Sequence, residues 1–149
     1  MRCIPVLAIL SVLGVAACAQ EVPAGWKVVK DQQGVCQLTV PSDWQAGKVT
    51  ASLVKSPDGK LNAQPGGAGA GQSFEAVKAS AKRMMPALQV IQDSRSRLWF
   101  SFVGRGPEAG ANYYVAVAGN PVCQAQITYK TPAGAETARK IAESLTQAK

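Results

Sequence analysis

Few residues here have the type and spacing for chemistry. A serine and a lysine stand three apart at Ser52 and Lys55, and Gly66, Gly67, Gly69 and Gly71 crowd one short stretch. Cys36 and Cys123 are the two thiols of the body of the chain, and basic residues gather between Glu75 and Arg105. The 149 residues contain no histidine, which excludes an imidazole general base, a Ser-His or Cys-His dyad and histidine-ligated zinc or haem. Ser52-Leu53-Val54-Lys55 has the S-x-x-K spacing of penicillin-interacting enzymes, where the lysine lies one helical turn beyond the nucleophile. Here the segment reads as a strand, which sends the two side chains to opposite faces, so the match is chance. The glycines before a helix imitate a phosphate cradle, but the Lys-Ser/Thr pair of a P-loop is missing. The nine carboxylates are scattered, with no close pair to build a two-carboxylate hydrolase or a Ca²⁺ loop. No catalytic residue, metal ligand or cofactor site is assigned.

The two thiols read as a structural disulfide. They do not form a C-x-x-C turn at a helix N-terminus, where a thiolate is stabilised, and each falls on the apolar face of a strand. The basic stretch holds Lys78, Lys82, Arg83, Arg95, Arg97 and Arg105 against Glu75 and Asp93. Lys78, Lys82, Arg83, Arg95 and Arg97 are the candidate docking surface, for an acidic envelope protein or an anionic envelope surface. Lys78 and Lys82 are one helical turn apart and are expected to project together, away from the stripe of Phe74, Val77 and Ala81. A solvated helix face is the bland reading of the same charges.

The N-terminus explains the two remaining cysteines. Residues 1–19 carry one early positive charge, Arg2, and then an uncharged apolar run from Ile4 to Ala17. That is a secretory signal peptide, and the run is too short to span a bilayer as a helix. Val15-Ala16-Ala17-Cys18 reads as a bacterial lipobox, which makes Cys18 a lipidated N-terminus; Ala17-Cys18-Ala19 is the competing A-x-A site for ordinary cleavage. The lipobox reading is taken because the apolar run reaches almost to Cys18. Cys3 leaves with the signal, and an even pair of thiols in an exported chain supports a bridge between Cys36 and Cys123. Export also argues against nucleic acid as a target, despite a net charge of +7.

Residues 20–25 form a short lead-in, and residues 26–149 read as one domain. Trp26 to Lys30 and Val35 to Val40 are strands around the turn Asp31-Gln32-Gln33-Gly34. Val49 to Lys55 and Leu61 to Gln64 flank Ser56-Pro57-Asp58-Gly59 as a second hairpin. Pro65 to Gly71 is expected to be a mobile surface loop. A helix follows, carrying Phe74, Val77, Ala81, Met84 and Leu88, capped by Gln72 or Ser73 and stopped near Met85 by Pro86. Three further strands centre on Leu98 to Phe102, Tyr113 to Val117 and Cys123 to Tyr129, with turns at Gly104 to Gly110 and Gly119-Asn120-Pro121. Tyr113 and Tyr114 point to opposite faces, so only one is expected in the core. A helix from Ala135 to Gln147 closes the chain on Ala138, Ile141, Ala142 and Leu145. Trp26, Trp44 and Trp99 are expected to pack in the core or on a sheet face. The fold class is α+β, an antiparallel sheet of about six or seven strands flanked by helices.

Gly34-Val35-Cys36-Gln37-Leu38-Thr39-Val40-Pro41-Ser42-Asp43-Trp44, the turn Ser56-Pro57-Asp58-Gly59, the mid-chain helix and Lys140-Ile141-Ala142-Glu143-Ser144-Leu145 resemble the PsbP-like α/β/α sandwich family. That family includes extrinsic photosystem subunits, a nuclear-import factor that binds a small GTPase, and exported bacterial proteins of unassigned function. The resemblance covers most of Trp26 to Leu145 and implies a non-enzymatic accessory or docking role. Its photosynthetic members hold metal through histidines, and this chain has none, so no metal residue carries over.

The leading expectation is therefore an accessory or binding protein of the bacterial envelope, anchored by lipid at Cys18, periplasmic, with no cofactor and no transmembrane helix after signal removal. Two other classes are kept: a small exported hydrolase or transferase whose site assembles only in three dimensions, and a carrier of a small molecule. A cleft with perturbed carboxylate or lysine groups favours the first, and an internal pocket of a few hundred cubic ångströms favours the second.

Overall fold

A computed structural model describes residues 21–85, 88–105 and 110–149. Residues 1–20, with the expected signal peptide and its Cys3 and Cys18, residues 86–87 with Pro86, and residues 106–109 of the turn expected after Gly104 lie outside the described residues. The chain runs β1 (Trp26–Lys30), β2 (Cys36–Pro41), β3 (Gln45–Ala46), β4 (Val54–Lys55), β5 (Leu61–Gly67), α1 (Phe74–Met84), β6 (Gln89–Asp93), β7 (Arg97–Gly104), β8 (Gly110–Val117), β9 (Cys123–Tyr129), α2 (Ala135–Glu143) and β10 (Thr146–Gln147). One sheet is ordered β3-β4-β5-β9-β8-β7-β6 and a smaller one β1-β2-β10, and all strand pairs are antiparallel. This is the α+β class read from the strand and helix periodicities.

The two faces of the large sheet are covered by different elements. On one face Trp99, Val115, Cys123, Ala125 and Ile127 pack against Leu38 and Val40 of β2 and against Ala138, Ile141 and Ala142 of α2. On the other, Leu98, Phe100, Tyr114 and Ala116 pack under Val77 and Ala81 of α1. Strand alternation sends neighbouring residues to opposite faces, and both faces are roofed. Tyr113 and Tyr114 accordingly both enter packed cores, and the expectation that only one could do so is corrected. Trp44 and Trp99 are buried and Trp26 packs against the same core.

Local chemistry explains the element ends. Asp31 caps the first hairpin, its Oδ1 accepting from the backbone N–H of Val35 at 2.8 Å and of Cys36 at 3.0 Å, while Gly34 takes a positive φ of 70°. Ser73 is the cap of α1, its hydroxyl accepting from Ala76 N–H, with Glu75 in the positive first turn.

Three expectations are corrected here. The strand expected over Val49 to Lys55 shrinks to β4, because the chain before it loops through a turn closed by Leu53 N–H to Thr50 carbonyl, leaving Val49 fully in solvent. Ser52 is buried in that turn and Lys55 is exposed on β4. Pro65 to Gly67, expected to open a mobile loop, continues β5 and pairs with Ala125, Gln124 and Cys123, because ladder pairing needs backbone and not side-chain bulk. The last helix ends at Glu143, four residues early, where the Ser144 hydroxyl donates to Ile141 carbonyl and accepts from Thr39 N–H. The freed tail then pairs with β2 as β10. β6 is an additional strand, at the outer edge of the large sheet.

Candidate functional site

Cys36 and Cys123 form a disulfide with Cα atoms 5.5 Å apart, a separation within normal bridging range. Both are fully buried, and the bridge ties β2 of the small sheet to β9 of the large one. It sits in the apolar core, which suits a structural tie and not an exposed redox pair.

The basic residues are brought to one end of the large sheet, but on two faces. On the α1 side, Lys78 Nζ bonds Asp93 Oδ1 and the Ser94 carbonyl, the latter at 3.2 Å, and lies 3.6 Å from Glu75. Lys82 Nζ takes the other oxygen of Asp93. The bond from Lys78, and then that from Lys82, holds the Asp93 carboxyl below its ordinary range, and the same bond raises Lys78. Only 13% of the Lys78 side chain is exposed, and its ammonium lies 5.4 Å from the Phe74 ring centre. Lys78 and Lys82 do project together, as expected, and sheet packing sets Asp93 against both ammoniums; Lys78 lies over Phe74 and not away from it. Arg83 and Arg95 are exposed.

On the opposite face, Arg97 points from β7 toward α2, where its guanidinium donates to the Ala142 carbonyl at the end of the helix. Burial lowers the Arg97 pKa and nearby Glu143 opposes that shift. Arg139 of α2 stacks over Trp99 at 5.9 Å and its Nε donates to Glu143 at 3.1 Å. Ile91, Gln92, Arg97, Trp99, Arg139 and Glu143 line an open groove of about 470 Å³ between the sheet edge and α2. The Trp99 indole N–H is buried beneath it without a hydrogen-bond partner among the described residues. Ile91, Gln92 and Arg139 were not among the residues singled out by sequence. Gln-Val-Ile-Gln between two turn regions was a readable strand signal; the approach of Arg139 to Trp99 depends on helix docking and had none.

Other grooves are chemically plainer. One of about 280 Å³, lined by Gln64, Tyr114, Gln124 and Gln126 beside Met85, contains no charged side chain. Another of about 330 Å³ lies between the Glu21 to Trp26 lead-in and Lys140, Glu143 and Ser144 of the α2 end. The shifted carboxyl and ammonium groups among the described residues sit in surface ion pairs or turns: Asp93 with Lys78 and Lys82, Glu136 with Lys140, and Asp58 with Ser56 and Lys60. Such pairing holds each group in its charged form, the reverse of what a general acid or base needs near neutrality. Among the described residues no group of three or more acidic or cysteine side chains is placed to hold a metal, and no helix is long and apolar enough to cross a membrane.

Comparison with protein-family profiles finds no match, and comparison with curated proteins finds none either. Among solved structures, the chain is similar to cyanobacterial PsbP (CyanoP) from Synechocystis sp. PCC 6803, at 10% identity and a TM-score of 0.51. That similarity covers 89% of this chain and 98% of the cyanobacterial one. A protein from Bacteroides thetaiotaomicron VPI-5482 aligns at 12% identity and a TM-score of 0.42, over 86% of this chain and 44% of that one. The layers, the strand order and a structural match over nearly the whole of both chains agree: this chain has a PsbP-like α+β fold.

Proposed function

We propose that the chain is a non-enzymatic accessory protein of the bacterial cell envelope, exported by residues 1–19, anchored by lipid at Cys18, and acting through surface contacts. The observation that carries the reading is the PsbP-like fold matched along nearly its whole length. The Cys36–Cys123 bridge is compatible with an oxidising compartment and adds support for export. Fold alone does not choose a function, so the reading leans on the side chains as well. The shifted acidic and basic groups are held charged in ion pairs or hydrogen-bonded turns, an arrangement that serves surface recognition better than proton transfer.

Cell fractionation with intact mass measurement tests it. The expected result is a mature chain that begins at Cys18 with added acyl chains, found with the membranes, and that moves to the soluble exported fraction as Cys18→Ala. A mature mass beginning at Gln20 without acyl chains overturns the anchor. Retention in the cytosol with the signal intact overturns the envelope assignment.

A further inference from the structure

The large sheet ends on one side in β3, two residues long, and on the other in β6. Every residue of β6 is exposed, and its two branched aliphatics, Val90 and Ile91, keep 47% and 46% of their surface in solvent. An outer strand offers unpaired N–H and C=O groups, and proteins ordinarily blunt such an edge with lysine, proline or a covering element. β1, the outer strand of the small sheet, follows that rule with Lys27 and Lys30. In β6 the first four residues, Gln-Val-Ile-Gln, carry no charge. The pairing with β7 slips between Val90 and Gln92, and Ile91, the extra residue of this bulge, lines the groove of Arg97, Trp99 and Arg139. Bulges re-aim side chains in this way beside binding sites.

Charge selects the occupant. Lys78, Lys82, Arg95, Arg97 and Arg139 gather at this end of the sheet, against Glu75, Asp93 and Glu143. A second copy of the chain laid on the same edge sets two positive fields against each other, whereas an acidic segment is attracted. We propose that β6 accepts an extended acidic segment of a partner protein as an added strand, with carboxylates of that segment placed at Arg97 and Arg139 beside the Trp99 ring. Main-chain pairing then supplies affinity and the groove supplies the preference for acidic side chains. The inference deepens the accessory reading and rests on it, but its test reads β6 alone and is independent of fractionation.

The probe is a short fluorescein-labelled peptide of alternating glutamate and valine, with a lysine–valine peptide as control, titrated into the chain purified from the cell. The glutamate peptide is expected to raise anisotropy, to lose affinity with salt and to slow hydrogen exchange of the amides of Gln89 to Gln92. Arg139→Glu is expected to weaken binding about tenfold or more, because it reverses an exposed charge of the groove. Ile91→Pro, which removes one main-chain N–H of β6 and the side chain that lines the groove, is expected to abolish the added protection. Lys60→Glu, an equal charge change on a distant turn, is expected to leave binding unchanged. Equal binding of both peptides, equal loss with Lys60→Glu, or unchanged exchange of β6 overturns the proposal. A concentration-dependent dimer that protects β6 without peptide also overturns it, in favour of a second copy as the occupant.

Discussion

Replacing Cys36 and Cys123 together by alanine removes the one disulfide cross-link between the two sheets among the described residues. The bridged residues are 87 apart, so in the unfolded chain the bond closes a long loop, and its removal returns that conformational freedom to the unfolded state alone. Loop-closure entropy puts the effect at roughly 4 to 5 kcal/mol. Two fully buried sulfurs are also lost, which leaves a small void in the core shared by β2, β9 and α2 and moves the result in the same direction. A domain of this size has about 5 to 15 kcal/mol in hand, so the variant is expected to fold but to be marginal. With a urea slope of about 2 kcal/mol per molar, the unfolding midpoint falls by roughly 2 M. The assay is equilibrium urea unfolding of wild type and variant, followed by Trp fluorescence and far-ultraviolet circular dichroism, with the slopes compared as well as the midpoints. Coincident midpoints at equal slopes refute the reasoning, as does full alkylation of both thiols in unreduced native protein.

Two further outcomes probe the core beneath α1. Phe100 is fully buried and stacks on Tyr114 at 5.1 Å, so Phe100→Ala is expected to cost about 3 to 5 kcal/mol in chemical denaturation, and a loss below about 1 kcal/mol refutes the packing described. Burial pushes the Tyr114 hydroxyl from its ordinary 10.0 up to about 12. The folded state holds this proton after the unfolded chain has released it, so its contribution to stability is complete below pH 10 and is lost as pH rises through about 12. In an absorbance titration Tyr114→Phe is expected to delete an ionisation near pH 12, and loss of one near pH 10 refutes the burial argument.

The structure also separates neutral from charged side chains along the large sheet. α1 roofs the aromatic rows of β7 and β8, and beyond it the same face turns to amides: Gln64, Gln126 and Tyr114 lie in one register row across β5, β9 and β8. The Tyr114 hydroxyl donates to Gln124, which anchors the boundary between the apolar and polar halves. The charged end lies elsewhere, at β6 and α2, so charged side chains and neutral hydrogen-bonding ones are kept apart on one sheet.

What the sequence determined on its own was local. The alternation of Cys36, Leu38 and Val40, the three and four spacing of Phe74, Val77 and Ala81, and the turns ending in Gly34 and Gly59 each depend on neighbours within a few residues, and each appears at its place. The pairing of Cys36 with Cys123 followed from there being one even pair in the body of the chain. What only the tertiary structure decided was non-local. Glycines 66 and 67 became strand because β9 lay alongside to supply hydrogen-bond partners. Thr146 and Gln147 became strand because Ser144 closed the helix against Thr39 and put the tail within reach of β2. The basic residues read as one cationic edge are given their partners by the sheet they belong to: Asp93 meets both Lys78 and Lys82, and Arg97 reaches the end of α2. A charge pattern along the chain states how many cations a segment carries, but the acid each one meets is set by strands and helices brought together from far apart in sequence, and that is information no local spacing contains.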